Sequence, residues 1–344
     1  MSQFFTTIAS LRSFLKTCPN KDRRVGLVPT MGALHRGHLS LIERARQENN
    51  YVVVSIFVNP LQFGVGEDLD KYPRTLDRDQ QLCQSAGVDA IFAPSAQEIG
   101  AQAQLALRSG ITQVLPPPEM TGVLCGRSRQ GHFAGVATIV TKLLQIVQPD
   151  RAYFGQKDGQ QLAILRKMVK DLNIPVEVIG CPTVREPDGL ALSSRNQYLD
   201  TPQREMATAL YQALRQAAAL FQQGIGDRDR LVAVVRNFLA TRPLIAVEYV
   251  ELVDALSLQP LDSVFDALPD ASDPNCTAQA SNPEASSNAS SLNSPLSNPL
   301  SNPLSNIVHE DCGAMLAIAA RVGTTRLIDN ILLNPLFLSE SKPE

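Results

Sequence analysis

The sequence predicts an α/β fold: a mostly parallel sheet with helices on its faces, followed by a smaller α+β unit. Three observations carry this. Short β-branched runs alternate with helical patterns through the first half of the chain, the signature of successive βαβ units. Most of those runs are apolar throughout, which suits strands covered on both faces. After Pro187 the composition shifts to Ala-, Gln- and Leu-rich helical segments and then to separate strand patterns.

Taken in order, residues 1–16 place Phe4, Phe5, Ile8, Leu11 and Leu15 at helical spacing and read as one amphipathic helix. The segment lacks the long apolar core and cleavage site of a signal peptide. Strands are expected at 25–29, 51–58, 88–92, 152–154 and 174–179, with helices at 39–48, 76–86, 136–147 and 160–172. The character changes near Val184 to Gly189, which divides the chain into domains of 1–186 and 187–344. The second is expected to hold helices at 202–223 and 227–240 and strands at 246–253 and 315–322. Between those strands, 267–306 is dominated by Ser, Asn, Pro and Ala and ends in repeated Ser-Asn-Pro-Leu. Such a segment has too little apolar surface to offset its ordering entropy, so a disordered insertion within the domain is expected.

Bulk properties exclude several function classes. With 31 Lys and Arg against 34 Asp and Glu, the net charge is −3, which offers no general field for nucleic acid or an anionic membrane. No window approaches the roughly 20 apolar residues that a membrane span requires. The six cysteines form no Cys-x-x-Cys pair, and the four histidines add no zinc-ligand spacing. Free thiols in a reducing, cytoplasmic setting are expected. A Gly-x-x-x-x-Gly-Lys-Ser/Thr loop and a Gly-x-Ser-x-Gly elbow are both missing, so neither P-loop kinase nor serine hydrolase chemistry is indicated.

Four stretches carry chemistry. Pro29-Thr30-Met31-Gly32-Ala33-Leu34-His35-Arg36-Gly37-His38 runs from a strand through a tight turn into a helix. That geometry offers backbone N–H groups and a positive dipole end to phosphate. His35 and His38, three apart, share a face and suit developing phosphate charge. Ser55 to Phe63 ends a buried strand in Asn59-Pro60, and Gln62 beyond it can donate and accept toward a hydroxy acid. Phe154-Gly155-Gln156-Lys157-Asp158-Gly159-Gln160-Gln161 again follows a strand. Lys157 supplies a point charge for phosphate, and Asp158 a helix cap, nucleotide contact or cation ligand. Leu192-Ser193-Ser194-Arg195 lies at the domain junction, where its guanidinium is placed to clamp phosphate.

Together these stretches resemble the pantothenate synthetase (pantoate–β-alanine ligase) family of the His-x-Gly-His nucleotidyltransferase superfamily. Tyr72-Pro73-Arg74-Thr75, Gly131-His132-Phe133-Ala134-Gly135-Val136, Gln148-Pro149-Asp150 and Arg326-Leu327-Ile328-Asp329-Asn330 resemble it in the same order. The likeness spans about 1–266 and 307–333. It implies a Rossmann-like N-terminal domain, a smaller α+β C-terminal domain closing over the nucleotide, a homodimer, and Mg²⁺ with ATP. It also implies condensation of pantoate with β-alanine through pantoyl adenylate. By matching positions, Met31, Gly32, Ala33, Leu34, His35, Arg36, Gly37, His38, Gly155, Gln156, Lys157, Asp158, Val184, Leu192, Ser193, Ser194 and Arg195 would line ATP. His38 would act as the acid, with His35 and Lys157 beside it. Gln62 and Gln161 would hold pantoate, and Gln62 would also meet β-alanine.

Two departures stand out: Gln156 replaces a glutamate common in the family, and the 267–306 insertion is not in the family core. Some relatives in photosynthetic bacteria are fused to a cytidylate kinase; without a P-loop, that activity is not expected of this chain. Metal ligands are not fixed, with Asp77, Asp79 and Asp158 as candidates. Two other readings are a dinucleotide-forming adenylyltransferase and a nucleotide-binding module without turnover. Whether AMP release requires β-alanine separates the first from the ligase.

Overall fold

The computed structural model describes residues 2–17, 24–64, 66–101, 110–267 and 313–334. The insertion expected at 267–306 lies, from 268 onward, outside the described residues.

Six strands form one sheet: β1 (Gln3–Phe5), β2 (Val25–Thr30), β3 (Tyr51–Ile56), β4 (Ala90–Phe92), β5 (Arg151–Gly155) and β6 (Glu177–Cys181). Their order is β1-β4-β3-β2-β5-β6, every pairing parallel. The described helices of this unit are α1 (Ile8–Thr17), α2 (Arg36–Glu48), α3 (Leu76–Ser85), α4 (Pro118–Thr121), α5 (Cys125–Ser128), α6 (His132–Val147) and α7 (Gly159–Asp171). Val25, Leu27 and Val53 pack with Leu11 of α1 and Val140 of α6, whereas Val28, Val52 and Val54 pack with Leu41, Ile42 and Ala45 of α2. Neighbouring residues of a strand thus bury themselves on opposite faces. That is why apolar residues occupy consecutive positions in these strands. The strand order reverses at β2, which lies between β3 and β5, and ligands of such sheets gather beyond the carboxyl ends at that crossing.

The N-terminus departs from the expected single helix. Residues 3–5 form β1, pairing with Ala90–Phe92, and α1 starts only at Ile8. Phe4 and Phe5 fit a helical spacing and an edge strand equally well, and the open edge of β4 decides between them.

The chain then forms α8 (Thr201–Ala207), α9 (Ala209–Gln222) and α10 (Arg228–Ala240), followed by an antiparallel sheet of β7 (Ile245–Asp254), β8 (Ala314–Val322) and β9 (Thr325–Leu333). The single helix expected over 202–223 is two helices meeting at Thr208. There the Thr208 hydroxyl donates to the Glu205 carbonyl at 2.8 Å, a back-bond that bends helices. Leu316, Ile318 and Ala320 of β8 face α9 and α10, while Met315, Ala317 and Ala319 face Leu124, Phe133 and Ile164 of the first unit. The second sheet is therefore clamped between its own helices and the first unit, which brings β9 beside the end of β5. Among the described residues no helix is long and apolar enough to cross a membrane.

Candidate active site

After β2 the chain turns through Met31, Gly32, Ala33 and Leu34 into α2. Gly32 takes a φ of +81°, which favours glycine. The turn is closed from α3 by Asp79, only 1% exposed: Oδ2 accepts from Ala33 N–H at 2.9 Å and Oδ1 from Leu34 N–H at 2.8 Å. At the start of α2, His35 Nδ1 accepts from Gly37 N–H at 3.2 Å, and His38 Nδ1 accepts from His35 N–H at 3.3 Å. The backbone amides that the motif was expected to offer to phosphate are thus largely used within the turn.

The histidine rings offer donors of their own. Their centroids lie 4.1 Å apart, and because each Nδ1 accepts a backbone N–H, each neutral ring carries its proton on Nε2. Burial, aided by the Lys157 charge, lowers the His35 pKa to about 4. Burial, then the neighbouring His35 and Lys157, lowers that of His38 to about 3. Near neutral pH the free protein therefore presents two uncharged Nε2–H donors.

The second wall follows β5, where a 3₁₀ turn over Gln156–Asp158 leads into α7. Lys157 Nζ lies 3.7 Å from Asp158 Oδ1. The Gln156 and Lys157 carbonyls accept from Asn330 Nδ2 of β9 at 3.0 and 2.9 Å. The adjacent glutamines separate sharply. Gln160 is buried, accepting from Cys125 N–H and donating to the Met120 and Val123 carbonyls, whereas Gln161 lines the cavity.

The third wall is the short turn Pro60–Gln62. Buried Asn59 donates to Gln62 Oε1 at 3.1 Å and to the Gly135 carbonyl at 3.2 Å, and Gln62 Nε2 donates to Met31 Sδ at 3.2 Å. A Cβ at Gly135 would fall 2.1 Å from the Leu61 carbonyl oxygen, so only glycine lets α6 lie against this turn. Arg129 Nη1 donates to His132 Nε2 at 2.9 Å, and His132 Nδ1–H donates to the Gln62 carbonyl at 2.8 Å. Burial, then the Arg129 charge, lowers the His132 pKa to about 4, which favours the neutral ring between Arg129 and the Gln62 carbonyl. Arg129 is itself held by both oxygens of Glu67 at 2.8 and 2.6 Å. Asn59, Arg129 and His132 were not expected as site residues. The Gly131–Val136 motif was the available signal, but its role depends on a contact with residue 62.

From the second unit, Ser193 Oγ accepts from Arg195 N–H at 3.3 Å, and Ser194 Oγ lies 3.3 Å from the Tyr72 hydroxyl. Leu192 N–H donates to the Val184 carbonyl at 3.0 Å. Arg195, expected as a phosphate clamp, meets Asp68 through Nε and Nη2 at 3.0 Å each.

These walls enclose one cavity of about 240 Å³. Of the expected residues, Met31, His35, Gly37, His38, Gln62, Gly155, Lys157, Asp158, Gln161, Val184, Leu192, Ser193, Ser194 and Arg195 line it, with Phe57, Val136, Ile139, Val140 and Leu143 forming an apolar side. A larger cavity of about 580 Å³ toward the second sheet shares Arg129, His132, Lys157, Asp158, Gln161, Ser193 and Arg195 with it. Five expected residues do not line the smaller cavity. Gly32, Ala33 and Leu34 form the turn behind the histidines, Arg36 pairs with Glu43 at 2.5 Å on the exposed side of α2, and the Gln156 carbonyl faces Asn330. Of the metal candidates, Asp79 has both oxygens bound by the turn, Asp77 is exposed on α3 and lines neither cavity, and Asp158 lines both.

Fold and site together define a Rossmann-like α/β protein carrying a His-x-Gly-His turn at the switch point of its sheet. The family model described as pantoate-beta-alanine ligase matches residues 3–280, and the chain belongs to that family. It is 52% identical over 309 residues to a bifunctional pantoate ligase/cytidylate kinase of Trichormus variabilis, covering 90% of this chain and 49% of the relative. A protein of the same description from Nostoc sp. is 52% identical over 349 residues, 96% of this chain and 57% of the relative. The chain thus spans about half the length of these curated relatives. Among solved structures, pantothenate synthetase from Thermus thermophilus superposes with a TM-score of 0.77 at 40% identity, covering 97% of this chain and all of that one. A pantoate-beta-alanine ligase from Francisella tularensis, complexed with beta-gamma ATP and beta-alanine, superposes with a TM-score of 0.66 at 30% identity over the full length of both chains.

Proposed function

We propose that this chain condenses (R)-pantoate with β-alanine at the expense of ATP, through a pantoyl-adenylate intermediate, in the cytoplasm. The observation that carries the reading is the meeting of two Nε2–H imidazoles, Lys157 and an amide-bearing apolar slot in one cavity. Pantoate has a carboxylate, two hydroxyls and a dimethyl carbon. Gln62 and Gln161 match the polar groups, and the Val136, Ile139, Val140 and Leu143 side matches the methyls. ATP extends along the histidine turn and Lys157, with Val184 and Leu192 to Arg195 closing from the second unit.

In the first step a pantoate carboxylate oxygen bonds to the α-phosphorus while the α–β anhydride bond breaks and pyrophosphate leaves. In the second, the β-alanine nitrogen bonds to the acyl carbon, the bond to AMP breaks and the amine loses a proton. His35, His38 and Lys157 hold the phosphate oxygens where charge grows, so positioning and electrostatic stabilisation supply the rate. Asp158 is a partly exposed carboxylate beside Lys157 and fits Mg²⁺ carried in by phosphates, which usually needs one or two carboxylates. When bound, Mg²⁺ would neutralise phosphate charge. Arg195 joins the phosphates by exchanging Asp68 for them as 187–344 closes over 1–186. The active form is a homodimer.

The test is an assay containing ATP, Mg²⁺, pantoate and β-alanine, with each omitted in turn. Pyrophosphate release should require pantoate, and pantothenate formation should require β-alanine. Turnover of ATP indifferent to pantoate would overturn the proposal.

A further inference from the structure

We infer that Asn330 is a positioning residue for the proposed adenylation, holding the Gln156–Asp158 turn so that Lys157 faces the phosphates. This rests on the function proposed above. The turn is only three residues long and is flanked by Gly155 and Gly159, so its own hydrogen bonds restrain it weakly. An outside brace comes from β9. The two hydrogens of Asn330 Nδ2 reach the Gln156 and Lys157 carbonyls at 3.0 and 2.9 Å, and the residue is 8% exposed.

Asn330 is fixed in turn. Its N–H donates to Asp329 Oδ1 at 2.8 Å, and Asp329 is gripped by Arg185 at 2.6 and 2.8 Å. The Arg185 guanidinium lies 3.6 Å over the Tyr211 ring, and Arg185 follows Val184 on the opposite wall of the cavity. One dipeptide of the second sheet therefore holds both walls of the cleft. An amide is required for this: a carboxylate of the same shape would set its oxygens against two carbonyl oxygens.

The experiment compares full-length wild type, Asn330→Asp, Lys157→Ala and the double variant, using ATP itself as ligand. ATP affinity is measured by calorimetry, and pantoate-dependent pyrophosphate release gives kcat and KM for each substrate. Asn330→Asp should lower kcat/KM for ATP by about 10-fold or more, with KM for β-alanine changing less than about twofold. On the Lys157→Ala background the same change should cost less than about threefold, because the group it positions is gone. Unchanged ATP parameters in folded Asn330→Asp, or full additivity with Lys157→Ala, would overturn the inference. Should the carboxylate prevent folding, Asn330→Ser keeps one donor and is read the same way, with about a threefold expected loss. If wild type releases no pyrophosphate, the proposed function fails, while ATP affinity still reads whether Asn330 governs the nucleotide site.

Discussion

At the scale of single residues, protonation state is the property that governs this site. Burial lowers the His35 and His38 pKa values in the free protein, so each ring presents an Nε2–H donor to the cavity. His38→Ala should lower pantoate-dependent pyrophosphate release at least 10²-fold with the fold retained, and His38→Asn, which keeps a donor, should lose less. A proton-donating imidazolium would lose activity as pH rises through its pKa. Wild-type rates measured from pH 7 to 9 should show no such decline. Stability follows from the same shifts. The pKa values of His35, His38 and His132 are lowered from 6.5 to about 4, 3 and 4, so below pH 6.5 the unfolded chain takes up protons that the folded chain refuses. The urea midpoint should be steady above about pH 6.5 and fall toward pH 4, less steeply in His132→Asn.

At the scale of elements, the site is held by close approaches between segments far apart in the chain. α6 touches the Pro60–Gln62 turn at Gly135, where a methyl group meets backbone that has little room to yield. Gly135→Ala should cost about 1–3 kcal/mol by denaturant unfolding and raise KM for pantoate through displacement of Gln62. The reason for this glycine is not visible in its own segment. The strand ends and the His-x-Gly-His turn were legible because their patterns are local, set by apolar runs and turn chemistry within ten residues. Strand β1 was misread because three residues cannot announce a partner at Ala90–Phe92.

Across the whole molecule, the segment that follows β6 is tied to β9 beside the cleft by the Arg185–Asp329 pair, in which Asp329 is 3% exposed. Removing one partner strands a buried charge. Arg185→Met should therefore destabilise the protein by about 3–5 kcal/mol in equilibrium unfolding, far more than loss of the exposed Arg36–Glu43 pair. The family resemblance reached the Asp329 and Asn330 positions as the end of a strand. It assigned them no task, since their partners are more than 140 residues earlier.

By itself the sequence determined which residues are available: buried strands that form a parallel sheet, two histidines on one turn, and a lysine and glutamines after another. Only the tertiary structure decided which of their atoms face the cleft. Gln160 and Gln161 are chemically identical neighbours, yet one ties down three backbone groups and the other lines the cavity. Burial and long-range hydrogen bonds set accessible atoms and ring protonation, and both are properties of contacts between segments that no local pattern contains.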